Sequence, residues 1–240
     1  MIEMRNVTKK YKDKVALKNC SLQLPEGQII GLFGANGAGK SSLMKCIMGY
    51  IRFEGEIRID GEKINRRNVH RLAFATGDHS FFPAVTAEDH RLFYKTQFPM
   101  FNEKRYEALM EFFCLPENKK ISEFSLGMQN QFEVILAMSQ GADYIIMDEP
   151  FAGNDVFNRE DFYEVLMRAV DEKETIIIST HLIEEIADYI DRAILIRDGE
   201  IIDDLSVSEI ESSGRELIDI VKEKYDYRAD RINRAVSRMR

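Results

Sequence analysis

The stretch Gly34-Ala35-Asn36-Gly37-Ala38-Gly39-Lys40-Ser41 carries the residue types that grip a polyphosphate, at the spacing G-x-x-x-x-G-K-[ST]. Glycines allow backbone conformations that turn several N–H groups toward one anion. The helix that the motif opens adds the positive end of its dipole. In this arrangement Lys40 is placed to reach the β- and γ-phosphates, the Ser41 hydroxyl to ligate Mg²⁺, and Ser42 to bond an α-phosphate oxygen. These residues point to a nucleoside triphosphate; they do not separate ATP from GTP, nor do they name a reaction.

A second group lies far downstream. "YIIMDEP" ends an apolar run on Asp148 and Glu149, and in an open parallel sheet ligands sit at the carboxyl ends of the strands. Asp148 is suited to hold Mg²⁺, and Glu149 to orient or deprotonate the water that attacks the γ-phosphate. If the strand continues through both, alternation turns Glu149 away from Asp148. "IIISTHLIEE" brings His181 to the same edge after another apolar run, within reach of a γ-phosphate.

The elements that must hold these groups alternate. "IEMRNVTKKY" and "VALKNCSLQL" read as strands, "FEGEIRIDGEKI" as a hairpin, and "QIIGLFG" and "RLAFATG" as short buried strands. "GKSSLMKCIMGY" reads as a helix. From about residue 84 to 140 strand signals give way to helical ones, with Thr86 opening "TAEDHRLFYKTQF". After that come "DYIIMDE", a helix around "NREDFYEVLMRAV", "TIIIST", a helix "LIEEIADYI", "DRAILIRDG" and "EIIDDL". This is the βαβ pattern of an α/β domain with a mainly parallel sheet. The expected organisation is an N-terminal antiparallel β subdomain, an inserted α-helical subdomain, one nucleotide-binding domain over 1–210, and a helical tail over 211–240. In that tail Arg228, Arg231, Arg234 and Arg238 recur at near-helical spacing.

Composition narrows the partners. A formal net charge of −8 disfavours nucleic acid, and no apolar run is long enough to span a bilayer. The opening residues lack the apolar stretch of a signal peptide. Cys20, Cys46 and Cys114 form no Cys-x-x-Cys pair; they fit a reducing cytoplasm and buried structural roles.

Taken in order, the cradle at Gly34–Ser41, "SLGMQ" at Ser125–Gln129, "IIMDEP", "AGND" ending at Asp155 and "STH" ending at His181 resemble the ATP-binding cassette (ABC) family over nearly the whole chain. The resemblance implies a P-loop NTPase core that binds ATP with Mg²⁺ and hydrolyses it. It implies that Ser125, Leu126, Gly127, Met128 and Gln129 open a helix facing the γ-phosphate held by a second ABC subunit, identical or different. It also implies that Tyr11 stacks on adenine, that Asp155 crosses the dimer interface, and that His181 is the switch histidine. Where the family has a metal-sensing glutamine this chain has Gly77, followed by Asp78 and His79; Asp78 is the expected substitute. "SxGM" and the helical insert are similar to those of bacterial export cassettes for peptide or antibiotic-like cargo. The permease would then be a separate chain docked near Phe81 and Phe82, which read as exposed, and the ATPase would sit on the cytoplasmic face of the membrane. The alternative is a non-transport ABC ATPase, a soluble mechanochemical or regulatory protein.

Overall fold

The computed structural model describes residues 1–150 and 159–225. Among these, two sheets share one helix between them. In the first, β1 (Ile2–Tyr11) pairs antiparallel with β2 (Lys14–Leu24) and with β4 (Glu54–Ile59), and β4 carries the short β5 (Glu62–Lys63). The second sheet has the order β10-β9-β3-β8-β7-β6, with β3 (Ile29–Phe33), β6 (Leu72–Thr76), β7 (Tyr144–Asp148), β8 (Thr175–Ser179) and β9 (Arg192–Arg197) all parallel. Only β10 (Glu200–Ser206) runs antiparallel, against β9.

The apolar runs explain the layering. A strand covered on both faces buries every side chain, so it reads as continuous hydrophobic sequence. In β3, Ile30 and Leu32 join the core shared with the antiparallel sheet and with α1 (Lys40–Ile47), while Phe33 joins the opposite core. In β7, Tyr144 and Ile146 take the first side, Ile145 and Met147 the second. That second side is covered by α3 (Glu103–Phe112), α4 (Leu126–Ser139) and α5 (Arg159–Ala169). α7 (Val207–Ser212) and α8 (Leu217–Lys224) add Val207, Ile210, Leu217, Ile220 and Val221 to the same core. The first part of the C-terminal segment is therefore packed down; residues 226–240, with the arginine series, lie outside the described residues.

Local chemistry fixes the inserted helices. Thr86 caps α2 (Ala87–Gln97) in a reciprocal capping box with Asp89, Asn102 caps α3, and Ser125 caps α4. Three expectations need correction. "LIEEIADYI" is not one helix: α6 (Ile183–Ile186) gives way to a 3₁₀ turn at Ala187–Tyr189. Cys114 is exposed, whereas Cys20 and Cys46 are buried, and burial pushes the Cys46 thiol up to about 12. Phe81 is only 8% exposed, packed against Phe132 and stacked on His79, while Phe82 is 55% exposed.

The loop carrying these phenylalanines is tied to α2 by a histidine. The Phe82 N–H donates to His90 Nε2 at 2.8 Å. Nδ1 must then carry the proton, and it donates to the Thr86 carbonyl at 2.7 Å. His90 is buried, and that desolvation holds its pKa below the ordinary 6.5, against the raising effect of Thr86. The folded chain thus binds fewer protons here than the unfolded chain, so this contribution is complete above pH 6.5 and declines as pH falls below it. Thermal melting followed between pH 7.5 and about 5.5 should show a falling midpoint whose slope is smaller in His90→Gln; an equal slope would remove His90 from this role.

Candidate functional site

The cradle leaves β3 at Phe33 and turns back into α1. Gly34 is required there because a Cβ would lie 2.5 Å from the Ile196 carbonyl oxygen. Gly39 adopts φ +120°, and a Cβ would meet the Ala16 carbonyl at 2.7 Å. Gly39 is also the N-cap of α1 and offers no side-chain cap, so the helix's first N–H groups are left for an anion. The Ala35 carbonyl takes the Ala38 N–H at 3.0 Å, and the Ala38 carbonyl takes the Gly199 N–H at 2.8 Å, which ties the cradle to the β9–β10 turn.

A cavity of about 250 Å³ opens above this turn, lined by Tyr11, Asn36, Gly37, Gly39, Lys40, Ser41, Ser42, Asp148 and Glu149 among others. Most of the predicted phosphate and acid residues are therefore brought together. Lys14 and Ala16, from the start of β2, line it too and carried no motif by which to be recognised. Tyr11 ends β1 with its ring half open and the Lys9 ammonium 4.5 Å from its centre.

Lys40 is only 6% exposed. Its ammonium donates to the Gly34 carbonyl at 2.7 Å and stands 3.7 Å from Glu149 Oε1. A buried ammonium needs such partners. A triphosphate would offer stronger ones, because its oxygens carry full charges. Glu149 Oε2 lies 3.0 Å from His181 Nδ1, so lysine, glutamate and histidine form one chain of contacts.

Strand alternation is not what places Glu149. β7 ends at Asp148, and Glu149 takes a left-handed conformation at φ +49°. Its N–H donates to the Ser179 carbonyl at 3.0 Å and to Ser179 Oγ at 3.1 Å. That turn brings both carboxylates to one cavity instead of opposite faces. A non-glycine residue held at positive φ costs free energy, and such strain clusters at functional sites. Ser179 also donates to Asp148 Oδ1 at 2.6 Å, an orienting contact that the serine's own position did not announce.

The donor set suits Mg²⁺. That ion is usually held by one or two carboxylates together with substrate phosphates and water, not by an all-protein cage. Here a hydroxyl, Ser41, and a carboxylate, Asp148, line the cavity from two elements, and no cluster of three acidic, histidine or cysteine residues suited to a metal occurs among the described residues.

Other predicted residues lie elsewhere. Ser125 caps α4 by accepting the Met128 N–H at 3.3 Å, Leu126 is exposed, and Gln129 donates to the carbonyls of Ile121 and Phe124. None of Ser125, Leu126, Gly127, Met128 or Gln129 lines the cavity. Asp155 lies outside the described residues. Asp78 is committed to Lys45 of α1 at 2.7 Å, and that hydrogen bond holds its carboxyl below the usual carboxylate range. Gly77 has open space where a side chain would stand.

A sequence model of the ABC transporter family matches residues 17–152. The SkfA peptide export ATP-binding protein SkfE of Bacillus subtilis (strain 168) is 29% identical over 229 residues, which cover 92% of this chain and 96% of that protein. The lantibiotic transport ATP-binding protein SrtF of Streptococcus pyogenes is 26% identical over 205 residues, covering 84% of this chain and 89% of that protein. In fold, the chain superposes with a TM-score of 0.75 and 24% identity on the ATP-binding cassette MJ0796, a dimer in a post-hydrolysis state bound to ADP and Pi; the match covers 86% of this chain and 99% of that one. A family match across residues 17–152 of 240, on a fold of the same architecture, establishes the kinship: this chain belongs to the ABC transporter family and is an ATP-binding, ATP-hydrolysing cassette.

Proposed function

We propose that this ATPase works as a pair of cassettes, identical or different, that closes on two ATP molecules and drives a separate integral-membrane permease exporting a peptide, antibiotic-like or other hydrophobic cargo. The observation that carries the reading is the separation of the two half-sites. The cavity gathers the cradle, Asp148 and Glu149, yet the capped end of α4 opens elsewhere on the same chain. A second copy can bring its Ser125 hydroxyl and the Gly127 N–H to the γ-phosphate, with Asp155 at the interface. The Ser125 hydroxyl accepts from Met128 within its own helix, which leaves its proton free to donate. The dimeric form of the fold neighbour supports the pairing, and the names of the two export-type relatives support the direction of transport. Among the described residues no helix is long and apolar enough to cross a membrane, in keeping with a permease on another chain and attachment to the inner membrane face through it. Phe82, exposed beside the edge-on ring of Phe93, is the part of the 77–83 loop offered for docking. In this reading residues 1–210 are the ATPase domain, with the helical insert at about 84–140, and 211–240 are its C-terminal extension.

The chemistry follows from the residues. Tyr11 stacks on adenine. Lys40 leaves Gly34 and Glu149 for the β- and γ-phosphates, while the α1 N–H groups and Ser42 hold the remaining oxygens. Ser41 and Asp148 would hold Mg²⁺, which would supply charge neutralisation for the transferred phosphate. Losing Lys40 to the phosphates frees Glu149 to orient a water and take its proton. The water oxygen bonds to the γ-phosphorus as the bond to the β–γ bridging oxygen breaks, leaving ADP and phosphate. His181, already bonded to Glu149, holds that carboxylate and faces the departing phosphate. With the γ-phosphate gone, the partner's donors lose their target and the pair opens.

Lys40→Ala should weaken ATP binding by at least about tenfold in a fluorescent-nucleotide titration, the loss of one charge-assisted contact; unchanged affinity would remove it from the cradle role. Glu149→Gln should bind ATP normally, turn it over roughly 10²- to 10⁴-fold more slowly, and elute as a dimer with ATP on size exclusion. Wild-type turnover in that chain contradicts its role as base. Gly77→Gln has room for its side chain and should lower the Mg²⁺ concentration needed for half-maximal hydrolysis; an unaltered Mg²⁺ dependence means the position is idle.

A further inference from the structure

α4 contains a carboxylate that the reaction above does not use. Glu133 lies inside the apolar run "FEVILAM" and is 2% exposed. Among the described residues no lysine or arginine forms an ion pair with it. Burial holds its carboxyl above the usual range, against the lowering effect of Ser80, His79 and the Thr76 backbone. A buried carboxylate in an otherwise apolar helix is costly unless its hydrogen bonds are needed. Both of its oxygens accept the Ser80 backbone N–H, at 3.0 and 2.9 Å. One helical turn earlier on the same face, Asn130 Oδ1 meets His79 Nε2 at 2.8 Å. The residue before these, Asp78, is the one held by Lys45.

Three consecutive residues therefore tie two helices together. Asp78 is fastened to α1, the helix whose first turn carries Lys40 and Ser41; His79 and Ser80 are fastened to α4, the helix that begins at Ser125. From Glu133 to Ser125 is eight residues, or roughly 12 Å along a rigid helix. With Thr76, Gly77, Asn130 and Glu149 among others, Glu133 lines a small hollow beneath the loop.

We propose that Glu133 is a positioning residue for ATP hydrolysis. As the buried anchor of the 78–80 bridge, it sets the place of the Ser125 end of α4 according to the state of the phosphate-holding helix α1. This rests on the reading that Ser125 acts on the partner's nucleotide. Glu133 does not line the nucleotide cavity but shares the small hollow with Glu149; the bridge therefore governs turnover by two loaded chains, not how well one chain loads ATP, and the double variant separates action through Ser125 from action through Glu149.

The test uses the full-length chain with Ser125→Ala, Glu133→Gln, Glu133→Leu and the double variant Ser125→Ala/Glu133→Gln, each measured for ATP affinity, KM and kcat. Ser125→Ala should lower kcat. Glu133→Leu, which removes both acceptors, should lower kcat at least tenfold while KM and ATP affinity stay within twofold. Glu133→Gln keeps one carbonyl acceptor for Ser80 and should recover part of that loss. The double variant should fall less than the product of the single effects, because both act on one contact. If Ser125→Ala is slow and Glu133→Leu turns over at the wild-type kcat, the bridge is overturned alone. A wild-type kcat in Ser125→Ala overturns the dimer reading and the bridge with it. Should Glu133→Leu fail to fold, the Gln variant decides: multiplicative losses in the double variant, or a shift in KM equal to that in kcat, refute the positioning role.

Discussion

A single ammonium sets the demands that the rest of the site meets. Lys40 is buried at the start of α1, and a charge so far from water must have oxygen around it. That oxygen comes from the Gly34 carbonyl and, at longer range, from Glu149. Both are lesser partners than a triphosphate. In the proposed reaction the same lysine leaves Glu149 when a triphosphate takes over, so that loading the cradle and arming the base become one event.

The neighbouring features serve that exchange. Glycines at 34 and 39 keep side chains away from the carbonyls of Ile196 and Ala16, which lets the turn sit against β9 and β2. The parallel order of β3, β8 and β7 brings the cradle, Ser179 and the acidic pair to one sheet edge. The left-handed turn at Glu149, pinned by Ser179, aims a second carboxylate into the space that Asp148 already lines. α1 lies between the two sheets with Leu43, Met44, Cys46 and Ile47 buried, which seats its N-terminus beside β7. The loop after β6 adds a second link, from Lys45 of α1 to Glu133 of α4.

Much of this was legible in residue order. Apolar runs such as "YIIM" and "TIII" read as strands covered on both faces, and the glycine-lysine-serine spacing has few uses other than holding phosphate. Thr86 and Ser125 marked the starts of two inserted helices, because their side chains satisfy backbone donors locally. Expectations failed where a long-range contact overrode a local preference. Phe81 reads as an exposed loop aromatic, but Phe132 and His79 enclose it. Glu149 reads as strand, yet its backbone turns left-handed against β8.

The sequence by itself determined most of the elements and the phosphate-holding spacing of the cradle, because those depend on short spacings and on periodicity; Asp148, Glu149 and His181 it marked only as candidates at the carboxyl ends of strands. Only the tertiary structure decided which groups meet: Lys40 against Glu149, Ser179 against Asp148, Asp78 against Lys45, Glu133 against Ser80. Each of those pairs joins residues more than thirty positions apart. A contact of that kind is set by how strands stack and helices pack, and the residues concerned carry no local mark of their partner.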